Sequence, residues 1–134
     1  MKRWAGVLLI SVLAVLMGLG CTTEAEEIPG EIPQMDQEQA YENWQIDKTV
    51  VLLDVRTEPE YQEVHIPGSV LIPVEELRQR APEELVDRDA TIYVICRSGR
   101  RSQDGVRILQ ELGYTDVTDI GGIITWPFET VEGG

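Results

Sequence analysis

The chain has 134 residues, which is enough for one domain with a substantial core. Its formal net charge of −13 argues against nucleic-acid binding, because that function requires a basic face. Only two cysteines occur, Cys21 and Cys96, and His65 is the only histidine, so neither a disulfide framework nor a metal or cofactor site is predicted.

The first 20 residues have the pattern of a secretory signal peptide. Lys2 and Arg3 form a short positive region, and residues 4–20 are apolar apart from Ser11. A permanent membrane helix usually needs about 20 apolar residues, so this run favours a cleaved signal.

A possible lipid-attachment site follows the signal. Gly20 before Cys21 resembles a bacterial lipoprotein signal, in which the cysteine is lipidated and becomes the new N-terminus. One position departs from that pattern, since Gly18 stands where a leucine-like residue is usual. We expect an extracytoplasmic protein attached to the membrane through Cys21, with plain secretion or a retained N-terminal anchor as alternatives. Residues 21–34 are acidic and contain two prolines, as expected for a tether.

Residues 35–131 are predicted to form the folded domain, in which helical patterns alternate with short apolar strands. The helices are predicted at 36–44, 57–61, 73–80, 82–86 and 103–112. The strands are predicted at 50–53, 70–72, 91–95 and 117–120. This alternation implies an α/β fold with a central parallel sheet flanked by helices on both faces. In such sheets ligands bind at the carboxyl ends of the strands.

The stretch 92–102 carries the chemistry. An apolar run ends on Cys96, a six-residue turn extends to Arg101, and a helical pattern from Gln103 ends at Gly113. Backbone donors closed by a helix N-terminus stabilise an anion, and a cysteine among them is biased towards the thiolate. Four arginines lie in or just after the turn: Arg97, Arg100, Arg101 and Arg107. An electropositive site in an acidic protein suits a small anionic substrate.

Four motifs in this order resemble those of single-domain rhodaneses. They are Leu53-Asp54-Val55-Arg56 with Glu60-Tyr61, then His65-Ile66-Pro67-Gly68-Ser69, then Cys96-Arg97-Ser98-Gly99-Arg100-Arg101-Ser102, and finally Gly121-Gly122-Ile123 with Trp126. Together they span almost the whole predicted domain, so the resemblance implies a rhodanese-like fold.

The resemblance also implies sulfur transfer. A rhodanese-type sulfurtransferase takes a sulfane sulfur from thiosulfate or a related donor, holds it as a persulfide on its loop cysteine, here Cys96, and passes it to cyanide or a thiol. The implied substrate-binding residues are Arg97, Ser98, Gly99, Arg100 and Arg101. The planar guanidinium of each arginine can bind an oxyanion through paired hydrogen bonds, and the alternative is that some of the arginines pair with acidic residues around the rim. By its position in the family motif Arg101, which closes the loop, is the preferred contact for the donor. The implied partners are therefore a small anionic donor and a thiol or cyanide acceptor; a protein acceptor is left open.

Other residues of the motifs are predicted to be structural. Asp54 and Arg56 are expected to support the site as ties at a strand end. His65 is expected to be a hydrogen-bonded turn residue and not a catalytic base. Trp44 and Trp126 are expected in the core.

Three further functions were weighed against sulfur transfer. A phosphatase or arsenate reductase of the Cys-x5-Arg type would need arginine at 102, where this chain has Ser102, and the shorter loop suits a single sulfur better than a phosphoryl group. A thiol oxidoreductase is disfavoured because no resolving cysteine accompanies Cys96. A carrier that hands its persulfide sulfur to a partner protein stays open; a sulfur-binding module that serves such a partner is the related alternative, although a non-catalytic module would usually lack the reactive cysteine. Gly105, where alanine is common, costs about 1 kcal/mol in helix propensity and is predicted to allow closer helix–sheet packing.

Overall fold

The computed structural model describes residues 30–134. The predicted signal peptide, the lipidation of Cys21 and the tether before residue 30 lie outside the described residues. Helices and strands alternate along the described chain, as α1 Gln37–Ile46, β1 Val51–Asp54, α2 Glu58–Glu63, β2 Val70–Leu71, α3 Val74–Glu84, β3 Thr91–Cys96, α4 Arg100–Glu111 and β4 Asp116–Gly122. A short 3₁₀ helix, Ile123–Thr125, follows β4.

The four strands form one parallel sheet in the order β2-β1-β3-β4. One face is covered by α3 and α4, and the other by α1 and the C-terminal segment around Trp126. The residues of β3 between its first residue and Cys96 are fully or almost fully buried, as expected for a strand covered on both faces. The predicted α/β fold, with helices on both faces of a central parallel sheet, is confirmed. Trp126 is buried in the core on the face covered by α1, and Trp44 packs against that core.

The segment before α1 pairs with the outer edge of β4. Gln34 forms a parallel bridge with Asp119. The Met35 amide donates to the Asp119 carbonyl at 3.1 Å, and the Asp119 amide donates to the Pro33 carbonyl at 2.8 Å. Because this pairing is parallel, the chain runs towards the carboxyl end of β4 before α1 begins.

Local sequence signals explain where the first helices start and how α4 packs. The Asp36 side chain accepts an amide hydrogen bond of 2.9 Å in the first turn of α1, as predicted. Thr57 and Glu60 form a capping box at the start of α2. At Gly105 an added Cβ would lie 3.2 Å from Val94 Cγ1, so the glycine allows α4 to approach the sheet closely.

The prediction of two short helices at 73–80 and 82–86 is wrong, since α3 is a single helix. Pro82 lies in its last turns, where the missing N–H removes one backbone hydrogen bond without ending the helix. The Leu85 amide still donates to the Ala81 carbonyl at 2.8 Å and closes the final turn.

Two boundaries near the loop also differ from the predictions. The helix α4 begins at Arg100, three residues before the predicted Gln103, because Gly99 adopts φ +102° and turns the chain directly from β3 into the helix. The predicted six-residue turn therefore shortens to three residues between the two elements. The strand β4 is longer than the predicted 117–120, because its pairing with β3 continues to Gly122.

Candidate active site

The candidate site lies at the carboxyl end of β3, in the interior of the sheet. Cys96 is the last residue of β3 and pairs with Gly122 of β4. It is a free cysteine, and only 1% of its surface is exposed. A thiol in this position meets only those molecules that the short loop above it admits.

Polar groups from the loop and from α4 surround the sulfur. The Gly99 amide donates to Cys96 Sγ at 3.0 Å, and Ser102 Oγ lies 3.5 Å from the same sulfur. Since α4 begins directly after Gly99, the positive end of its dipole favours negative charge on the sulfur. Ser102 is fully buried and is absent from the predicted site. The sequence prediction starts α4 three residues too late, at Gln103, and therefore does not place Ser102 in the first turn of the helix.

The loop is backed by the end of β4. A Cβ added at Gly122 would overlap the carbonyl oxygen of Arg97, so only glycine fits beside the loop backbone. The Ile124 amide donates to that same Arg97 carbonyl at 3.2 Å. The pair Gly121-Gly122 is the sequence signal for this close approach, and it belongs to the motifs already noted.

The arginines of the loop have different surroundings. Arg97 and Arg100 are exposed and form no ion pair with another residue of the described range 30–134. Arg101 is engaged by Glu60, since its two terminal nitrogens each donate to one carboxylate oxygen at 2.8 Å. Arg107 pairs with Asp104 on the surface of α4 at 3.2 Å. The structure therefore leaves Arg97 and Arg100 available to an anion, while the paired Arg101 closes the loop against α2.

Glu60 is a residue of the site that the sequence prediction missed as a partner of the loop. Its Oε2 accepts from the Thr57 amide and from the Thr57 hydroxyl, both at 2.9 Å, besides its bonds from Arg101. The hydrogen-bonded Arg101 guanidinium, helped by Thr57 and opposed by partial burial, lowers the pKa of Glu60 from 4.5 to about 2. The same carboxylate raises the pKa of Arg101. One side chain thus joins the cap of α2 to the first turn of α4.

The structure brings Asp54 and Arg56 together in a buried ion pair at the end of β1. Arg56 Nη2 lies 2.8 Å from Asp54 Oδ2, and both side chains are almost fully buried. The Arg56 guanidinium also donates to the carbonyls of Val64 at 2.7 Å and Glu60 at 3.4 Å. This pair joins the end of β1 to α2 and to the residue that follows it, and a supporting role for Asp54 and Arg56 in the site stays a prediction.

The contacts of His65 are those of a structural residue and not of a catalytic base. Its Nδ1 donates to the Tyr61 carbonyl at 2.9 Å, because a carbonyl only accepts, and its ring stacks on the Tyr61 ring. Its backbone exchanges two hydrogen bonds of 2.8 Å with Val131. These contacts match the predicted turn residue.

An open groove of about 910 Å³, with both polar and apolar lining, lies beside the loop. It is lined on one side by Ser98, Gly99 and Arg100, and on the other by residues that include Asp36 and Asp119. A space of this size accommodates molecules larger than a small inorganic anion directly next to the loop.

Neither a metal-binding cluster nor a membrane-spanning helix is found among residues 30–134. No group of three or more histidine, cysteine, aspartate or glutamate side chains in that range is arranged to hold a metal ion. None of the helices in that range combines the length and the apolar character needed to cross a bilayer.

Comparison with known proteins agrees with this geometry. The family model described as "Rhodanese-like domain" matches residues 36–126. The thiosulfate sulfurtransferase PspE of Escherichia coli (strain K12) is 36% identical over 81 residues, which cover 60% of this chain and 78% of PspE. The putative sulfur carrier protein YrkF of Bacillus subtilis (strain 168) is 35% identical over 107 residues, which cover 79% of this chain but only 57% of YrkF.

A solved structure described as "rhodanese with anions from E. coli" superposes with a TM-score of 0.59 at 34% sequence identity. The superposition covers 63% of this chain and 99% of that structure. The match thus includes almost the whole of that rhodanese, and the range of the family model, 36–126, includes the loop that holds Cys96. The chain belongs to the rhodanese-like domain family of sulfurtransferases.

Proposed function

We propose that the protein moves a sulfane sulfur from thiosulfate or a related donor to cyanide or a thiol, through a persulfide on Cys96. One observation carries this proposal: Cys96 Sγ accepts the Gly99 amide at 3.0 Å at the N-terminus of α4, inside a loop that bears arginines. The similarity to a relative named thiosulfate sulfurtransferase supports the choice of donor.

The two half-reactions balance without a cofactor. In the first, the Cys96 thiolate attacks the outer sulfur of thiosulfate, the S–S bond of the donor breaks, and sulfite leaves with the bonding pair. In the second, cyanide or a thiolate attacks the outer sulfur of the persulfide, and the electron pair returns to Cys96 Sγ. The Gly99 amide and the dipole of α4 stabilise the anionic sulfur in both steps.

The charged loop residues suit the donor. Arg97 and Arg100 are exposed residues of the segment that follows Cys96, and they form no ion pair with the rest of residues 30–134, so their guanidinium groups are available to the sulfonate end of thiosulfate. Arg101 acts in this proposal mainly through the loop, since Glu60 already occupies both of its terminal nitrogens.

The central test uses the full chain, purified in mild detergent, and its Cys96→Ser variant. The wild-type chain should form thiocyanate from thiosulfate and cyanide, and after thiosulfate alone it should gain the mass of one sulfur on Cys96. The serine variant should do neither, while its circular dichroism spectrum stays unchanged. Equal turnover by the two proteins would refute the mechanism.

A second test separates the loop arginines from other surface charges. Arg100→Gln should raise the KM for thiosulfate about 5-fold, since an exposed charge-assisted contact contributes about 1 kcal/mol. Arg107→Gln is the matched control, because Arg107 is an exposed arginine of the same helix that pairs with Asp104. An equal KM for both variants would remove Arg100 from donor binding.

A persulfide carrier is the second candidate. The burial of Cys96 and the similarity to a relative named putative sulfur carrier protein favour it. A carrier would take up one sulfur per chain from thiosulfate or another donor and release it to small acceptors only slowly. Measuring sulfur uptake and multiple-turnover thiocyanate formation on the same sample separates a carrier from a free-standing enzyme.

We also propose that the domain works outside the cytoplasm, attached to the membrane through a lipid on Cys21. The support is the sequence pattern of residues 1–21. Globomycin should block maturation in cells that express the chain, and mass spectrometry should find acyl groups on an N-terminal Cys21. A mature protein that still begins at Met1 would contradict this location.

A further inference from the structure

The hydroxyl of Ser102 is buried directly beside the reactive sulfur. Ser102 has no exposed surface, and its Oγ lies 3.5 Å from Cys96 Sγ. The same hydroxyl donates to the Gly99 carbonyl at 3.0 Å, and the Gly99 amide donates to Sγ at 3.0 Å. Three residues therefore form a closed ring of hydrogen bonds with the sulfur as one member.

This ring has two arrangements, because a hydroxyl carries a single proton. When Cys96 is a thiol, its S–H points to Ser102 Oγ, and the Ser102 proton goes to the Gly99 carbonyl. When the sulfur is an anion it has no proton to donate, and a hydrogen bond donated to it stabilises its negative charge. Rotation of the Ser102 hydroxyl then supplies a second hydrogen bond to the sulfur beside that of the Gly99 amide, with no movement of the backbone.

The sulfur is anionic at two points of the proposed cycle. It is the nucleophile towards the donor, and it is the leaving group when the acceptor takes the outer sulfur. In that second step a thiolate R–S⁻ attacks the outer sulfur of Cys96–S–SH. The new R–S bond forms, the bond between Cys96 Sγ and the outer sulfur breaks, and Sγ keeps the electron pair while the proton stays on the transferred sulfur. Between these points Sγ is an uncharged divalent sulfur.

We propose that Ser102 is a catalytic residue whose hydroxyl donates to Cys96 Sγ whenever that sulfur is anionic, as nucleophile and as leaving group. This inference rests on the proposed function for its place in the cycle, but not for the contact itself. A structural alternative is that Ser102 only secures the start of α4 through its bond to the Gly99 carbonyl. That role would affect stability and would leave the ionisation behaviour of the sulfur unchanged.

The test compares the full chain with Ser102→Ala and Ser102→Thr, and uses the rate of Cys96 alkylation by iodoacetamide between pH 5 and pH 10. In Ser102→Ala the alkylation rate should fall about 10-fold at low pH, as expected for the loss of one hydrogen bond to a charged group. The rate should converge with that of the wild type at high pH, where the sulfur is ionised in both. Ser102→Thr, which keeps a hydroxyl, should stay within about 3-fold of the wild type.

Single-turnover discharge of the persulfide to 2-mercaptoethanol is the second measurement, and Ser102→Ala should slow it by a similar factor. Alkylation does not need the persulfide, so failure of sulfur transfer by the wild type would refute the proposed function while leaving the hydroxyl contact testable. If Ser102→Ala does not fold, Ser102→Val takes its place, because valine has the shape of threonine without the hydroxyl and is thus matched to Ser102→Thr. A folded variant without the hydroxyl whose alkylation rate equals that of the wild type at every pH would overturn the inference.

Discussion

Replacing Glu60 with glutamine should destabilise the domain at neutral pH without unfolding it. In the structure the Glu60 carboxylate accepts hydrogen bonds from both terminal nitrogens of Arg101 and from the amide and hydroxyl of Thr57. The glutamine oxygen can keep a hydrogen bond to Thr57 and so retain the cap of α2. The paired, charged contact with Arg101 is lost, so Glu60→Gln isolates the link between α2 and α4.

The size of the effect follows from the pKa of Glu60. A fall from 4.5 to about 2 on folding corresponds to an upper bound of about 3 kcal/mol at neutral pH. The Arg101 and Glu60 side chains remain 30% and 23% exposed, so solvent screening reduces the expected loss to about 1–2 kcal/mol. Because folding lowers this pKa, the stabilisation is fully present above about pH 5 and is lost as the pH falls through 4.5 towards 2.

Urea unfolding of the wild type and of Glu60→Gln between pH 7 and pH 3 measures this contribution to the unfolding free energy. The difference in unfolding free energy should be constant from pH 7 to pH 5 and should shrink towards pH 3. Glu63→Gln is the matched control, since Glu63 is an exposed glutamate of the same helix with no side-chain hydrogen bond among the described residues, and its loss should cost less than about 0.5 kcal/mol. A pH-independent difference, or an equal effect of both substitutions, would refute the assignment to the ion pair with Arg101.

Two further substitutions test the surroundings of the loop. Gly122→Ala should abolish thiocyanate formation and lower the unfolding free energy by about 2 kcal/mol or more, because the added Cβ overlaps the Arg97 carbonyl. Activity near the wild-type level would contradict this and show that the loop tolerates a displaced backbone. Asp54→Asn should cost about 3–5 kcal/mol in urea unfolding, since it leaves the buried Arg56 without its charged partner. Glu111→Gln, which breaks an exposed ion pair on α4, is the control and should cost less than about 1 kcal/mol.

Local patterns in the sequence were sufficient for the architecture. The apolar run that ends on Cys96, the Asp36 cap and the alternation of strands with helices act over a few residues, and each predicted element except the separate helix at 82–86 has its own counterpart in the fold. The errors concern competition between local signals. Proline normally ends a helix. Pro82 lies near the C-terminus of α3, where it removes only one hydrogen bond, so the helix continues through it.

The partners of the loop could not be read from the sequence. Arg101 is the preferred substrate contact by position, yet its guanidinium meets Glu60, which lies 41 residues earlier in the chain. The sequence contains 24 acidic residues, and only the packing of α2 beside α4 selects this one. Ser102 is a similar case, because its contact with Cys96 depends on a helix that starts at Arg100, a boundary that Gly99 sets through its left-handed conformation.

The parallel pairing of Gln34 with Asp119 sets the direction in which the described chain enters the domain. Residues 33–35 run beside β4 towards its carboxyl end before α1 begins, so the described chain enters this pairing from the side of the sheet opposite Cys96. Under the proposed attachment through Cys21, the described chain would join the domain at the end of the sheet opposite the loop. The loop that holds Cys96 would then lie at the far end of the sheet from this junction.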